Sequence, residues 1–295
     1  MNSKTVEARQ MLIKTKTTDW FGTEYTMNMY RGCDHGCIYC DSRSECYQIE
    51  NFDSVVYKEN GLVLLNQELQ SKRKKGIVGF GAASDAYNHL DKKIGLTKKV
   101  LTLLDQHGFG ISLATKSAIL TRDIAEYKQI QVHSPVNLGF SFSTSIDRVA
   151  AKIERHVSLP SERFQAIEAC KDNGLYCGIL LMPVLPYITD SWKLMADLIM
   201  KAHEVQADYI YPMFGMTLRD RQKEHYFNAL QKISKPIADQ YEKNYKNTYF
   251  FPAENYEQLS YNFKNLCTKL GIVYEMSEII TNYQKPYQIE QERLF

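Results

Sequence analysis

The sequence predicts an α/β fold: a parallel sheet of about six strand–helix units joined by right-handed crossovers, followed by a helical extension. Three observations predict it. Apolar runs at 76–83, 110–115, 137–143 and 176–182 have the composition of strands buried on both faces. Helical patterns stand between them, as in Leu96, Val100, Leu103 and Leu104. The alternation then stops near Pro212, short of the eight units of a closed barrel.

Taken in order, residues 1–24 are mixed and polar and read as an N-terminal extension wrapping the sheet. Residues 25–30 read as a strand feeding a cysteine loop, and 38–48 as a helix on which Cys46 packs as a small hydrophobe. A helix over 61–75 ends in Lys72-Arg73-Lys74-Lys75, a run that complements the helix dipole and offers a modest phosphate contact. Strand 76–83, helix 96–107, strand 110–115, helix 121–131 and strand 137–143 follow. Helices 147–155 and 161–173 precede strand 176–182, which Pro183 and Pro186 end. Helix 190–205 and strand 209–212 close the series, and the Tyr-rich chain from Phe214 reads as helices. The expected units are 1–24, the strand–helix region 25–215, a helical extension 216–283 and a tail 284–295.

Composition narrows the function class. The 295 residues are 44% hydrophobic and 24% charged, the balance of an ordinary soluble protein with a sizeable core. A formal charge of +2 gives no bulk attraction to nucleic acid, so any basic footprint must be local. The polar N-terminus is not a secretory signal, and no apolar window reaches the ~18 residues of a membrane span. Seven cysteines form no regular disulfide framework, which points to a reducing cytoplasm.

The chemistry concentrates in 27–43, MNMYRGCDHGCIYCDSR, where Cys33, Cys37 and Cys40 are spaced C-x3-C-x2-C between flexible glycines. Three thiolates from one short loop suit three irons of a cubane cluster, the fourth iron staying open. Tetrahedral zinc is the alternative, with His35 as its nearest fourth ligand, although no second CxxC or HxxxH pair follows.

With Tyr39 in the aromatic slot, the loop resembles the radical-SAM signature, C-x3-C-x-aromatic-C. The resemblance implies a partial (β/α)6 TIM-type barrel with its active site at the C-terminal strand ends. It also implies a [4Fe–4S] cluster and S-adenosylmethionine, whose reductive cleavage yields a 5′-deoxyadenosyl radical for hydrogen abstraction. Cys33, Cys37 and Cys40 would hold the cluster, and Tyr39, the expected catalytic residue, would pack on the adenine. Ser84-Asp85-Ala86-Tyr87, Ala114-Thr115-Lys116-Ser117, Ser141-Phe142-Ser143-Thr144, Glu154-Arg155, Ser161-Glu162-Arg163 and Met182-Pro183-Val184-Leu185-Pro186 are similar to the spore photoproduct lyase-like branch over about 25–215. That branch implies that Ser84 and Lys116, with Ser141 or Ser143, hold the S-adenosylmethionine carboxylate. A helix cap for Ser84 and a surface position for Lys116 are the competing structural readings.

The departures are informative. Spore photoproduct lyases carry a hydrogen-donating cysteine after the second strand, where this chain has Gly81-Ala82-Ala83, and a second tyrosine where it has Asp41. Thymine-dimer repair as such is therefore not expected. Cys177 lies on a strand and either faces the barrel or is a buried structural thiol. Gln291, Leu294 and Phe295 resemble the bacterial sliding-clamp-binding peptide, an alternative being that the apolar pair tucks onto the helices. The reading is a radical-SAM enzyme acting on a nucleic acid base or sugar, supplied with electrons by a flavodoxin or ferredoxin. A non-catalytic iron–sulfur or zinc protein bound to DNA through the clamp, and an enzyme modifying a peptide or small metabolite, are the alternatives.

Overall fold

The computed structural model describes residues 5–245 and 248–292, the side chains of 245 and 289–292 excepted. Short strands β1 (Thr5–Val6) and β2 (Ile13–Lys14) lead into β3 (Tyr25–Met27), β4 (Tyr30–Arg31) and β5 (Val56–Lys58). Helix α1 (Gly61–Ser71) opens the alternation of β6 (Ile77–Phe80), α2 (His89–Ile94), α3 (Leu96–His107), β7 (Gly110–Thr115) and α4 (Ile124–Gln131). It continues through β8 (Val136–Phe142), α5 (Asp147–Ile153), α6 (Pro160–Asp172), β9 (Cys177–Leu181), α7 (Trp192–Glu204) and β10 (Ile210–Pro212). Beyond it come β11 (Gly215–Thr217), α8 (Asp220–Ile233), α9 (Lys235–Tyr245), β12 (Phe250–Pro252), α10 (Tyr256–Leu270) and α11 (Met276–Glu292).

The main sheet runs β10-β9-β8-β7-β6-β3-β2. Its six strands from β3 to β10 are parallel and in chain order, and β2 adds an antiparallel edge. β2 and β10 end the sheet instead of pairing, so the barrel is incomplete, as the count of strand–helix units predicts. β9 is buried at every position and β7 and β8 at all but one, which is why the sequence shows runs there and not alternation. Val100, Leu101 and Leu104 of α3 are fully buried, each worth about 1.5–3 kcal/mol relative to exposure. The free edge of β10 is covered by the chain after α10, where Ile210 N–H donates to the Val273 carbonyl at 2.9 Å.

Several expectations are corrected. The strand expected over 25–30 breaks after Met27, and β4 turns away to pair with β5. Residues 38–48 form two short 3-10 turns, Asp41–Arg43 and Glu45–Tyr47, because backbone turn bonds and ties from Ile38 to Ile153 and from Arg43 to Asp53 hold the chain before helical spacing can develop. Cys46 is exposed there, bonded to Ser44 and Arg219, and is not a packed hydrophobe. Helix α1 stops at Ser71, so Lys72–Lys75 lies outside it, and Lys72 and Lys75 cover the rings of Tyr25 and Phe109. That is the N-terminal end of the parallel strands, away from the barrel's catalytic end, so the run makes no contact at the site. The stretch after Phe214 includes a β11–β12 antiparallel pair among its helices. Helix α11 continues without a break through Pro286 to Glu292, so the expected tail begins inside it. Gln291 lies in its last turn; Leu294 and Phe295 lie outside the described residues.

Candidate active site

At the C-terminal strand ends a cavity of about 320 Å³ brings together residues the sequence scatters over nearly two hundred positions. Cys33, Cys37, Cys40, Tyr39, Ser84, Lys116 and Ser141 all line it; Ser143 stands behind Tyr39. Gly81-Ala82-Ala83 forms part of one wall, and Met182, Pro183, Met213 and Met216 form an apolar one.

The cysteine loop is fastened at both ends. Cys33 N–H donates to the Phe52 carbonyl at 2.8 Å, and Ile38 N–H to Ile153 at 2.9 Å. His156 N–H returns to the His35 carbonyl at 2.9 Å, and Cys37 bridges Glu154. Gly32 and Gly36 have φ of +82° and +67°; a Cβ would meet the Phe52 carbonyl oxygen at 2.7 Å in the first case and His156 at 2.9 Å in the second. The loop closes only with glycine at both places.

Two buried carboxylates order the surroundings. Asp85 accepts from Tyr87 N–H at 2.9 Å, the Thr115 hydroxyl at 2.7 Å and Lys116 N–H at 2.8 Å. The His35 ring stands 3.5 Å from it, and burial, the largest influence, lowers the affinity of that ring for a second proton. Glu154 accepts from the Tyr39 and Ser143 hydroxyls and pairs with Arg163. Lys116, the single lysine or arginine among the lining residues described, carries its Nζ 5.6 Å from the Tyr39 ring centre.

The donor set fits a cluster. Burial, with Asp85 and Cys40 adding to it, pushes the Cys33 thiol up to about 12, and burial likewise raises Cys37 and Cys40. Such thiols become thiolates only against a strong local positive charge, which iron provides. Among the described residues no group of three or more His, Cys, Asp or Glu side chains is arranged to share one metal ion. That argues against tetrahedral zinc with His35. A cubane asks for something else, one thiolate on each of three irons.

The family model of the radical SAM superfamily matches residues 27–199. The chain belongs to that superfamily. It is a radical-SAM enzyme, and its cofactors are a [4Fe–4S] cluster and S-adenosylmethionine, which removes the non-catalytic alternative. Its relatives include the uncharacterized protein Rv2578c of Mycobacterium tuberculosis, 26% identical over 80% of this chain and 71% of the relative. The uncharacterized protein MJ0683 of Methanocaldococcus jannaschii is 28% identical over 64% of this chain and 72% of its own. Among solved structures, spore photoproduct lyase complexed with dinucleoside spore photoproduct superimposes with a TM-score of 0.62 at 12% identity. The match covers 90% of this chain and 78% of that one, and shows a shared partial-barrel fold. No helix among the described residues is long and apolar enough to cross a membrane.

Asp85, Glu154 and Arg163 are visible in the sequence as landmarks, without roles. One signal was available: Arg163 sits four and seven residues before Ile167 and Cys170, on the apolar stripe of α6, where a charge needs a buried partner. Cys177 turns to the outer layer, its thiol 3.7 Å from the Ile167 carbonyl of α6, so it is a buried structural thiol.

Proposed function

We propose that this radical-SAM enzyme abstracts a hydrogen atom from a base or sugar of a nucleic acid. The observation that carries the substrate class is the rim of the cavity. Arg43 stacks 4.8 Å over Phe52, a lining residue, and Arg219 stands two residues beyond Thr217, another. Arg43, Arg219 and Arg221 each keep a buried Nε without a hydrogen-bond partner among the described residues. Arg219 lies 5.2 Å over the ring of Tyr249, which is exposed. Guanidinium forks suit phosphate oxygens and exposed aromatic rings suit bases. Asp53 takes both terminal nitrogens of Arg43, whose side chain is nearly buried, so Arg43 backs the rim while Arg219 and the partly exposed Arg221, 3.7 Å from Glu45, are the forks left to meet a phosphate. The dinucleoside bound by spore photoproduct lyase supports the same class.

When bound, the cluster and S-adenosylmethionine supply a 5′-deoxyadenosyl radical. The chain's own part is to hold and screen. Cys33, Cys37 and Cys40 ligate the cluster, the Tyr39 ring backs the adenine, and the methionine wall excludes water. Lys116 and Ser141 hold the cofactor's carboxylate. Ser84 and Ser143 contribute less directly, because the first donates its proton to the Gly32 carbonyl and the second to Glu154. With alanine and glycine at 81–83, the thiol-mediated hydrogen return of spore photoproduct lyases has no counterpart there, and thymine-dimer repair is not the proposed reaction. A flavodoxin or ferredoxin serves as the reductant in the cytoplasm, and Gln291, Leu294 and Phe295 engage a sliding clamp.

The test is 5′-deoxyadenosine release by anaerobically reconstituted, reduced protein, with and without single- and double-stranded DNA and RNA. Release abolished by Cys37→Ala and stimulated by a nucleic acid is the expected result. Release that no nucleic acid stimulates would return the substrate to a peptide or small metabolite. Loss of clamp co-purification on deleting residues 291–295 tests the tail.

A further inference from the structure

Glu154 and Arg163 form the most deeply buried ion pair among the described residues, both side chains fully enclosed at 0% exposure. Nothing in the radical-SAM chemistry calls for a charge pair at this place. Enclosing two charges is costly unless their polar atoms find partners, and here each guanidinium nitrogen and each carboxylate oxygen has one. Arg163 Nε donates to the Ser158 carbonyl at 2.9 Å, one Nη to the Ser141 carbonyl and the other to Glu154. Its guanidinium also covers the Phe142 ring at 5.0 Å. The second oxygen of Glu154 accepts from Ser143 at 2.9 Å and from Tyr39.

The pair therefore joins three things: the end of β8 through Ser141 and Ser143, the start of α6 through Arg163 itself, and the cysteine loop through Tyr39. It also sits on the backbone bridge between Glu154 and Cys37. A tyrosine fixed only by packing can rotate and slide. This one is pinned by its hydroxyl at one end, while its ring faces the cavity beside Lys116.

We propose that Glu154 and Arg163 are positioning residues for S-adenosylmethionine, acting through the Tyr39 hydroxyl to fix the ring against which the cofactor's adenine rests. The proposal builds on the superfamily membership and not on the identity of the substrate. The Tyr39 hydroxyl donates to Glu154, and the role proposed for it is to position the ring. Ser143 belongs to this clamp through its bond to Glu154, which is why its part at the carboxylate site is indirect.

The test uses the anaerobically reconstituted full chain and three variants: Tyr39→Phe, Glu154→Gln and the double substitution. Iron and sulfide per chain, the dissociation constant for S-adenosylmethionine, and the electron paramagnetic resonance of the reduced cluster with and without S-adenosylmethionine are measured. Each single variant is expected to retain its iron and to bind S-adenosylmethionine about tenfold more weakly, the worth of one charge-assisted hydrogen bond. Each should also blunt the spectral change on adding the cofactor. The double variant should lose no more than the larger of the two single losses, since Tyr39→Phe removes the link and Glu154→Gln weakens the same link by discharging its acceptor. Tyr39→Phe touches neither charge, so it reads out even if Glu154→Gln folds poorly. Wild-type affinity and spectrum in Tyr39→Phe would overturn the proposal, and so would losses that add in the double variant.

Discussion

Asp85 and Glu154 both brace the cysteine loop as enclosed carboxylates, yet they are held by different chemistry. Asp85 rests on neutral donors: two backbone N–H groups and a hydroxyl, all within 2.9 Å. Glu154 rests on two hydroxyls and on a guanidinium that has no exposure of its own. A carboxylate satisfied by several neutral donors survives the loss of one. A buried ion pair does not survive the loss of either charge, because the remaining one is stranded in a medium of low dielectric. The β6 side of the loop is thus graded in its response to damage, and the β8 side is all-or-none.

The sharpest way to break this contrast is Arg163→Met, which keeps the volume on α6 and removes the charge. It is expected to cost about 3–5 kcal/mol, read as the denaturant midpoint of the cluster-free protein. A loss below that of Asp85→Asn would erase the distinction between the two sides.

Acid comes next in size. Burial acts to raise Glu154, but Arg163, Lys116 and the Tyr39 hydroxyl outweigh it and hold the carboxyl at about 2, below the 4.5 of an ordinary glutamate. Below pH 4.5 the unfolded chain takes up a proton that the folded one refuses. The stabilisation is complete above that value and is lost as pH falls toward 2, by up to about 3 kcal/mol. Denaturation curves of the wild type and Glu154→Gln across this window should converge at the acid end. Parallel curves would mean that Glu154 is not held ionised by its partners.

The two sides also differ in how well the sequence announces them. The loop itself is legible, because ligand spacing is a local property: Cys33, Cys37, Cys40 and Tyr39 stand where their motif puts them. So are the parallel strands, since burial on both faces leaves continuous apolar runs such as 110–115 and 177–181. The 3-10 turns after Cys40 stand where the sequence pattern predicts a helix, because tertiary ties at Cys33, Ile38 and Arg43 override weak local propensity. The brace is less legible still. Glu154 and Arg163 meet across a turn and a strand end, and only the charge on the apolar stripe of α6 hints at it. Ser84 shows the limit from the other side: its neighbours identify the place, but which acceptor takes its proton is decided by a carbonyl fifty-two residues away.

On the β6 side, Asp85→Asn tests the graded response. The amide can still accept at one atom from Tyr87 and Thr115. At the other, its NH₂ would face the Lys116 N–H, leaving a buried donor unmatched at a cost of about 1–3 kcal/mol. Unfolding of the cluster-free variant measures it, and a loss as large as that of Arg163→Met would show that Asp85 too depends on a full countercharge.

The smallest effect separates two roles for one residue. Ser84 is buried and donates to the Gly32 carbonyl, the residue that turns the chain into the cysteine loop. Ser84→Ala removes that bond and leaves the carbonyl enclosed, which should lower stability by about 1 kcal/mol. A hydroxyl has one proton, and one given to Gly32 is not available to a cofactor carboxylate. If Ser84 serves only the loop, the variant loses stability while its S-adenosylmethionine dissociation constant stays at the wild-type value. If the hydroxyl turns toward the cofactor when the site fills, affinity falls as well, and the fall should be absent in the cluster-free protein, where stability alone responds. Measuring both quantities on one preparation therefore decides whether the β6 side of the loop is purely a brace or also part of the cofactor's own binding surface.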